Sequence, residues 1–312
     1  MKANSWLAPV LPTVAIEIAT RRVTVVEVPA AGGTVAAYAG EGLPDGAVSP
    51  ALTGVNIHQP DVVKAALQRA LDRSGLTSTR RAALVVPDSI ARVSLLTFED
   101  TPARPQDLDQ LVQWQLRKAA PFPIEDATIS HFPAASDGNR LTVAAVLARR
   151  DVLAQYEAVV ADLGMHAGVV DLASFNVMNA VMATSVSGTG DWLLVHLASE
   201  ATTLAIVRGE ALMFYRHRTA IDEETLGALV HQTAMYHEDR LGGGAFARVW
   251  LSGAGANAAE ARQEISSRLG MPVEAVDIRP AAAVEGTHAP SADVLDALAA
   301  PVGILVRDRR VA

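Results

Sequence analysis

Apolar residues in this chain come in short runs with two rhythms: alternation with period two, and stripes with period 3.6. The clearest alternating stretch is Leu193 to Val207, LLVHLASEATTLAIV. It predicts a strand, a tight polar turn at Ser199–Glu200, and a second strand rich in β-branched residues. Ala15 to Val28, AIEIATRRVTVVEV, repeats the pattern. Laying His196 on Glu17 aligns Leu197 with Ile18, Ala198 with Ala19, Ser199 with Thr20 and Thr203 with Thr24. Two copies this far apart predict a duplicated two-lobed fold, not a solenoid of short repeats.

Between and after the hairpins the pattern predicts further elements. A third strand is expected at Thr34–Ala39, followed by a Gly/Pro-rich loop from Gly40 to Pro50. Asp61 is expected to cap a helix over Val62–Arg73 that Gly75 closes, with Val62, Val63, Ala66, Leu67, Ala70 and Leu71 on its core face. From Arg80 a block of type β-β-α-β-β-α-β follows. Its strands are Arg81–Val86, Ala91–Phe98, Thr128–Phe132, Leu141–Ala148 and Gly168–Leu172. Its helices run from Pro105 to about Ala119, with Leu108, Leu111, Val112 and Ala119 as core stripe, and from an Asp151 cap to Leu163, ended by Gly164. A helix at Phe175–Met182 leads to the second hairpin, whose third strand is Ala211–His217. Then come a helix over Asp222–Arg240 ended by Gly242, a strand Arg248–Leu251, the turn Ser252-Gly253-Ala254-Gly255, and a helix Asn257–Leu269. A short strand Val273–Val276 precedes a last apolar helix, Ala292–Val306, which Pro301 is expected to kink or split.

Composition narrows the function class. At 312 residues the chain is long enough for two cores, and half its residues are apolar. No apolar run approaches the ~20 residues of a membrane span, so no direct membrane insertion is expected. MKANSWLAPVLP lacks the long apolar core of a signal peptide. With no cysteine there are no disulfides, thiolate metal sites or cysteine nucleophiles. A net charge of −8 argues against a general nucleic-acid binder, and the basic run at Arg307–Arg310 reads as a solvated tail.

With the two hairpins, the Ser-Gly-Ala-Gly turn and the intervening block in view, the chain resembles the PilM family of type IV pilus assembly proteins, which are actin-like and related to FtsA. The stretch that carries most of the likeness is Trp114 to His131, WQLRKAAPFPIEDATISH, similar to the family's Trp–Glu–x–x–x–x–x–Pro–Phe–x–Ile segment, with Gln115 where the family has Glu. Val85–Ser89, Ala148–Arg150, Val170–Phe175 and Trp250–Ala256 add supporting matches. The resemblance spans about Val14 to Leu305. It implies an α/β, actin-like (ribonuclease H-like) duplicated fold with an inserted α+β subdomain. Its parts are a first lobe at 1–79, the insertion at 80–172, a return to the first lobe at 173–185 and a second lobe at 186–312.

The resemblance also implies where nucleotide would sit. Two hairpin turns clamp the phosphates of ATP and a Gly-rich turn backs the adenosine, because glycine lets backbone N–H groups reach phosphate oxygens. An Asp ending each first strand holds magnesium through water or orients the attacking water. Both turns depart from that pattern. Glu17 and His196 stand at the Asp positions and Ala19 and Ala198 at the Gly positions; Thr20-Arg21-Arg22 and Glu200 form the tips. Only Gly253 and Gly255 are kept. Any nucleotide would therefore rest on Thr20, Ser199, Gly253 and Gly255, with Glu17 taking the metal. The expected reading is a pseudo-ATPase with no catalytic residues: a cytoplasmic scaffold at the inner-membrane platform of a type IV pilus or type II secretion-like machine. Its implied partner is the N-terminal cytoplasmic peptide of a PilN-like membrane protein, bound between the insertion and its neighbour, and a homo-oligomer is compatible with the fold. The alternative is an active Mg-ATP-binding ATPase or small-molecule kinase using Glu17.

Other candidates carry less. His231 and His237 are six apart on one predicted helix, not the i, i+4 spacing of a helical metal site, and read as polar-face residues. His196 is expected at a buried strand end with a hydrogen-bond partner. Trp114 is expected to pack on the neighbouring lobe, and Phe122, between Pro121 and Pro123, to fill a pocket at the subdomain boundary.

Overall fold

The computed structural model describes residues 12–30, 33–100, 102, 104–184, 190–219, 224–284 and 290–307. The first hairpin is β1 (Val14–Ile18) and β2 (Arg22–Glu27), and the second is β10 (Asp191–Leu197) and β11 (Ala201–Arg208). Their tips close with the same backbone bond, Ala19 N–H to Arg22 O and Ala198 N–H to Ala201 O, each 2.9 Å. After the short β3 (Thr34–Val35), β4 (Ala37–Gly42) is the third strand, so Gly40 and Gly42 lie in the sheet and not in the expected loop. Helix α1 (Pro60–Ser74) and strand β5 (Arg81–Val86) follow.

Between β5 and the second hairpin lie β6 (Ala91–Phe98), α2 (Pro105–Ala119), β7 (Ala127–Asp137), β8 (Arg140–Arg149), α3 (Arg150–Ala161), β9 (His166–Leu172) and α4 (Ala173–Ala183). The second half continues with β12 (Ala211–Thr219), α5 (Leu226–Leu241), β13 (Arg248–Ser252), α6 (Ala258–Leu269), β14 (Glu274–Ala275), β15 (Ala283–Val284) and α7 (Ala292–Val306). The sheets run β4-β2-β1-β5-β9 and β12-β11-β10-β13-β14. The two orders are identical when the halves are laid on each other, which establishes the duplication that the hairpin repeat predicts.

That topology narrows the insertion. β5 and β9, at the ends of the expected 80–172 block, pair into the first-lobe sheet, and α3 packs on β9 and α1. What stands apart is the three-stranded sheet β6-β8-β7 with α2. One face of that sheet, with Phe98, Val143, Ala145 and Leu147, packs on Val112 and Leu116 of α2. Leu111, expected in the core stripe, is instead exposed at 40%.

Alternation places the cores. Leu193, Val195, Leu204 and Ile206 pack with Leu229, Val230, Ala261 and Ile265 of α5 and α6. Their neighbours Trp192, Leu194, Ala205 and Val207 face the other way, into a core shared with α4, α7 and the first lobe. Helix α7 rests on β1, β2 and β5, so this last stretch of the second half is built into the first lobe. It runs unbroken through Pro301, and Gly303 allows it to cross α4 at close range.

Helix ends are partly as expected. Gly75, Gly242 and Gly270 take left-handed φ of 73°, 61° and 66° at the C-caps. The N-caps differ. Pro60 opens α1 behind Gln59, and Arg150 opens α3 behind Arg149, so neither Asp61 nor Asp151 caps. Each sits in the first turn instead, pairing with Lys64 at 3.4 Å and Arg149 at 2.8 Å respectively. Val62 turns outward, 36% exposed. Thr225 caps α5, accepting from Ala228 N–H; Asp222 lies outside the described residues.

Candidate functional site

The two hairpin tips meet. Thr20 Oγ1 donates to Glu200 Oε2 at 2.6 Å, joining residues 180 positions apart. Ser199 is exposed beside this contact and Arg21 turns out to pair with Asp45. Glu17 and Thr24 face each other across β1 and β2, both buried, and Arg22 Nη2 lies 3.5 Å from Glu17 Oε2. His196 is buried at the expected strand end, but its Nδ1 has no hydrogen-bond partner among the described residues.

The third element closes in the same way. Gly253 has φ +80°, and a Cβ there would lie 2.1 Å from the Leu197 carbonyl oxygen, so only glycine fits. Its N–H donates to Asp296 of α7, 2.7 Å from Oδ1 and 2.9 Å from Oδ2, and Ser252 Oγ donates to the same carboxylate at 3.0 Å. Gly255, with φ +50°, is exposed.

Of the four residues expected to hold nucleotide, Thr20 and Gly253 are already engaged, while Ser199 and Gly255 are exposed. Phosphate oxygens need free donors, and the Thr20 hydroxyl and the Gly253 amide are already given to carboxylates of the chain. Glu200 and Asp296 would repel phosphate, and Glu17, at the expected metal position, faces a guanidinium.

A buried polar cluster joins the lobes further in. Asp88, in the turn between β5 and β6, accepts from Ser174 N–H at 3.1 Å and Ser174 Oγ at 2.8 Å, and from Thr203 Oγ1 at 3.0 Å. His217 Nδ1 is 2.9 Å from Thr203 Oγ1, and its Nε2 is 3.2 Å from Ser89 Oγ. Tyr215 hydrogen-bonds Ser174 Oγ at 2.9 Å, and burial pushes its phenol well above the usual tyrosine range. These bonds satisfy polar groups that would be costly to bury alone.

Beside this cluster opens a groove of about 1020 Å³. Val146 and Ala148 of the insertion form one wall, Val170, Leu172 and Phe175 of the first lobe another, and Val207 and Leu212 of the second lobe a third. Phe175 stands at the junction, its ring centroid 5.4 Å from both Phe132 and Tyr215. Asp171 and Arg307 supply charge, 3.0 Å apart. Burial pushes the Asp171 carboxyl above its usual range, against the Leu172 N–H bond and Arg307, which favour its charged form. Arg307 thus belongs to the groove and not to a solvated tail.

The model of the type IV pilus assembly protein PilM matches residues 15–240, well over half of the chain. The chain belongs to the PilM family. No curated protein matches by sequence. Among solved structures, the PilM–PilN type IV pilus biogenesis complex superposes with TM-score 0.79 at 16% identity, covering 97% of this chain and 100% of that one. A Bacteroides thetaiotaomicron protein with an actin-like ATPase fold gives 0.49 at 9% identity, over 86% of this chain and 91% of that one. The cytoplasmic domain of EpsL, from the type II secretion system of Vibrio cholerae, gives 0.46 at 11%, over 76% and 80%. The family membership and the duplicated sheet orders give the chain the actin-like fold that the resemblance implies. Among the described residues no helix is long and apolar enough to cross a membrane.

Several expectations for single residues move. Trp114 is 57% exposed, with Lys118 Nζ 4.0 Å over its ring, and does not pack on a neighbouring lobe. Phe122 packs on the insertion's own core. His237 is buried, its Nε2 2.6 Å from Asp191 Oδ2 and its ring stacked 4.4 Å from Phe246; only His231 is a surface residue. Asp88 and Asp171 fall in stretches that carried the family likeness, but no spacing pointed to their partners. Nothing local marked Asp296.

Proposed function

We propose that this PilM-family chain is a scaffold, not an ATPase. It holds an extended cytoplasmic segment of a PilN-like inner-membrane protein in its groove, at the cytoplasmic face of a pilus or related secretion machine. The observation that carries the reading is the contrast between the two clefts. At the hairpin cleft the Thr20 hydroxyl and the Gly253 amide are bound to the chain's own carboxylates, whereas the groove is open, largely apolar and wide enough for side chains. Such a groove suits a peptide that inserts apolar residues and leaves its polar ends at the rim. The shared fold with a solved complex of PilM and PilN is consistent with that partner.

The test is a pair of measurements on the full chain. In thermal melts, millimolar Mg-ATP is expected to leave the midpoint unchanged. A ligand at 100 times its Kd would add about 2.7 kcal/mol to the folded state, so a clear upward shift would favour the ATPase or kinase reading. In calorimetric titration, the N-terminal peptide of the PilN-like protein from the same genome is expected to bind. Val146→Arg, which puts a charge on the groove wall, is expected to weaken it at least ~10-fold with an unchanged melt. Equal binding by that variant would remove the groove from the proposal.

A further inference from the structure

The lobes are tied at their cleft by contacts of one chemical kind. At the tips Glu200 accepts from Thr20, and at the third turn Asp296 accepts from Gly253 N–H and Ser252 Oγ. Because α7 is seated on the first-lobe strands, the Asp296 bond also joins the second lobe to the first. Asp88 repeats the arrangement deeper in, bridging Ser174 of α4 and Thr203 of β11. In each case a carboxylate of the chain accepts from hydroxyl or amide donors, one at Glu200 and several at Asp296 and Asp88, as an oxyanion of a bound ligand would.

The groove is not a property of one lobe. Val207 and Leu212 come from the second, Val170, Leu172 and Phe175 from the first, and Val146 and Ala148 from the insertion. Separating the lobes carries the Val207–Leu212 wall away from the other two. Neither Glu200 nor Asp296 lines the groove.

We propose that Glu200 and Asp296 hold the two lobes closed with no ligand bound, and that this closure keeps the groove in its binding form. The second clause rests on the groove being a peptide site. The carboxylates thus take the place of a bound ligand, and the groove's affinity depends on residues outside it.

The experiment compares the full chain with the double variant Glu200→Ala/Asp296→Ala and with Glu200→Gln/Asp296→Asn, whose amide oxygens still accept. Glu200→Ala alone replaces the double variant if the latter does not melt cooperatively. Hydrogen exchange followed by mass spectrometry needs no partner. The alanine variant is expected to exchange ~10-fold faster at 204–212 and 170–176, away from both substitutions, with the amide variant near the parent. Faster exchange confined to 198–201 and 252–255 would overturn the proposal, because the Asp88 cluster and the core shared with α4 and α7 would then hold the lobes without the two carboxylates. Titration with the synthetic N-terminal peptide of the PilN-like protein is expected to show at least ~10-fold weaker binding to the alanine variant. Equal binding overturns the link to the groove. If the parent binds no peptide, the scaffold reading fails by itself, and the exchange result still decides whether the carboxylates close the cleft.

Discussion

The crossing of α4 and α7 makes a quantitative prediction, because it is set by a single missing side chain. A Cβ on Gly303 would lie 1.7 Å from the Asn176 carbonyl oxygen, 2.6 Å from its carbonyl carbon and 3.2 Å from Ala180 N. Ordinary contact is about 3.5 Å, so the helices must part by well over an ångström. Nothing at the contact can yield cheaply. The clashing atoms are backbone inside α4, and Asn176 is buried and held by its Nδ2 bond to Leu172 O at 2.8 Å. Parting the helices also loosens Val177, Ala180, Leu298 and Val302 in the core between the lobes. Overpacking of this kind costs about 3 kcal/mol at the upper end of its usual range. Alanine is intrinsically better than glycine in a helix by about 1 kcal/mol, which offsets part of the cost. Gly303→Ala should therefore lose about 2 kcal/mol, read from urea unfolding by far-ultraviolet circular dichroism. The control is Gly42→Ala, in β4, where a Cβ meets no atom within 4 Å; it should stay within about 0.5 kcal/mol of the parent. A Gly303→Ala protein as stable as the parent would refute the argument.

Other expectations can be checked with the same material. The Asp191 carboxyl is held below its usual range chiefly by its hydrogen bond from Arg208, with desolvation opposing and His237 assisting. A depressed folded value means that the contribution is full above the unfolded pKa, about 3.9, and is lost as pH falls through the lower folded value. The stability advantage over Asp191→Asn should thus be complete at pH 7 and shrink below about pH 4, read from melts across that range. Gly243→Ala places a Cβ 2.0 Å from the buried His237 ring and should lower the midpoint, whereas Gly244→Ala, with nothing within 4 Å, should not. Trp114→Ala should change stability by no more than about 0.5 kcal/mol, because the ring is mostly in water, while removing a red-shifted part of the tryptophan emission.

What the sequence by itself determined was local or periodic. The alternating runs at Ala15–Val28 and Leu193–Val207 fixed both hairpins and the duplication, since period-two burial needs no knowledge of the neighbour. Glycines after Ser74, Leu241 and Leu269 marked helix ends because a left-handed residue closes a helix wherever it occurs. The departures at Glu17, Ala19, His196, Ala198 and Glu200 from a phosphate-clamping pattern were also legible, position by position. Helix starts were misplaced where a carboxylate beside the true first residue looked like a cap: Pro60, with no N–H to satisfy, begins α1 one position before Asp61. Surface or core for Leu111, Trp114 and His237 depended on which side the neighbouring element came to lie. The tertiary structure alone decided that β5 and β9 belong to the first lobe, that α7 returns to it, and that Thr20 meets Glu200 and Gly253 meets Asp296. These contacts join residues from 43 to 180 positions apart, and no local periodicity records which distant donor will face a carboxylate once the lobes have packed.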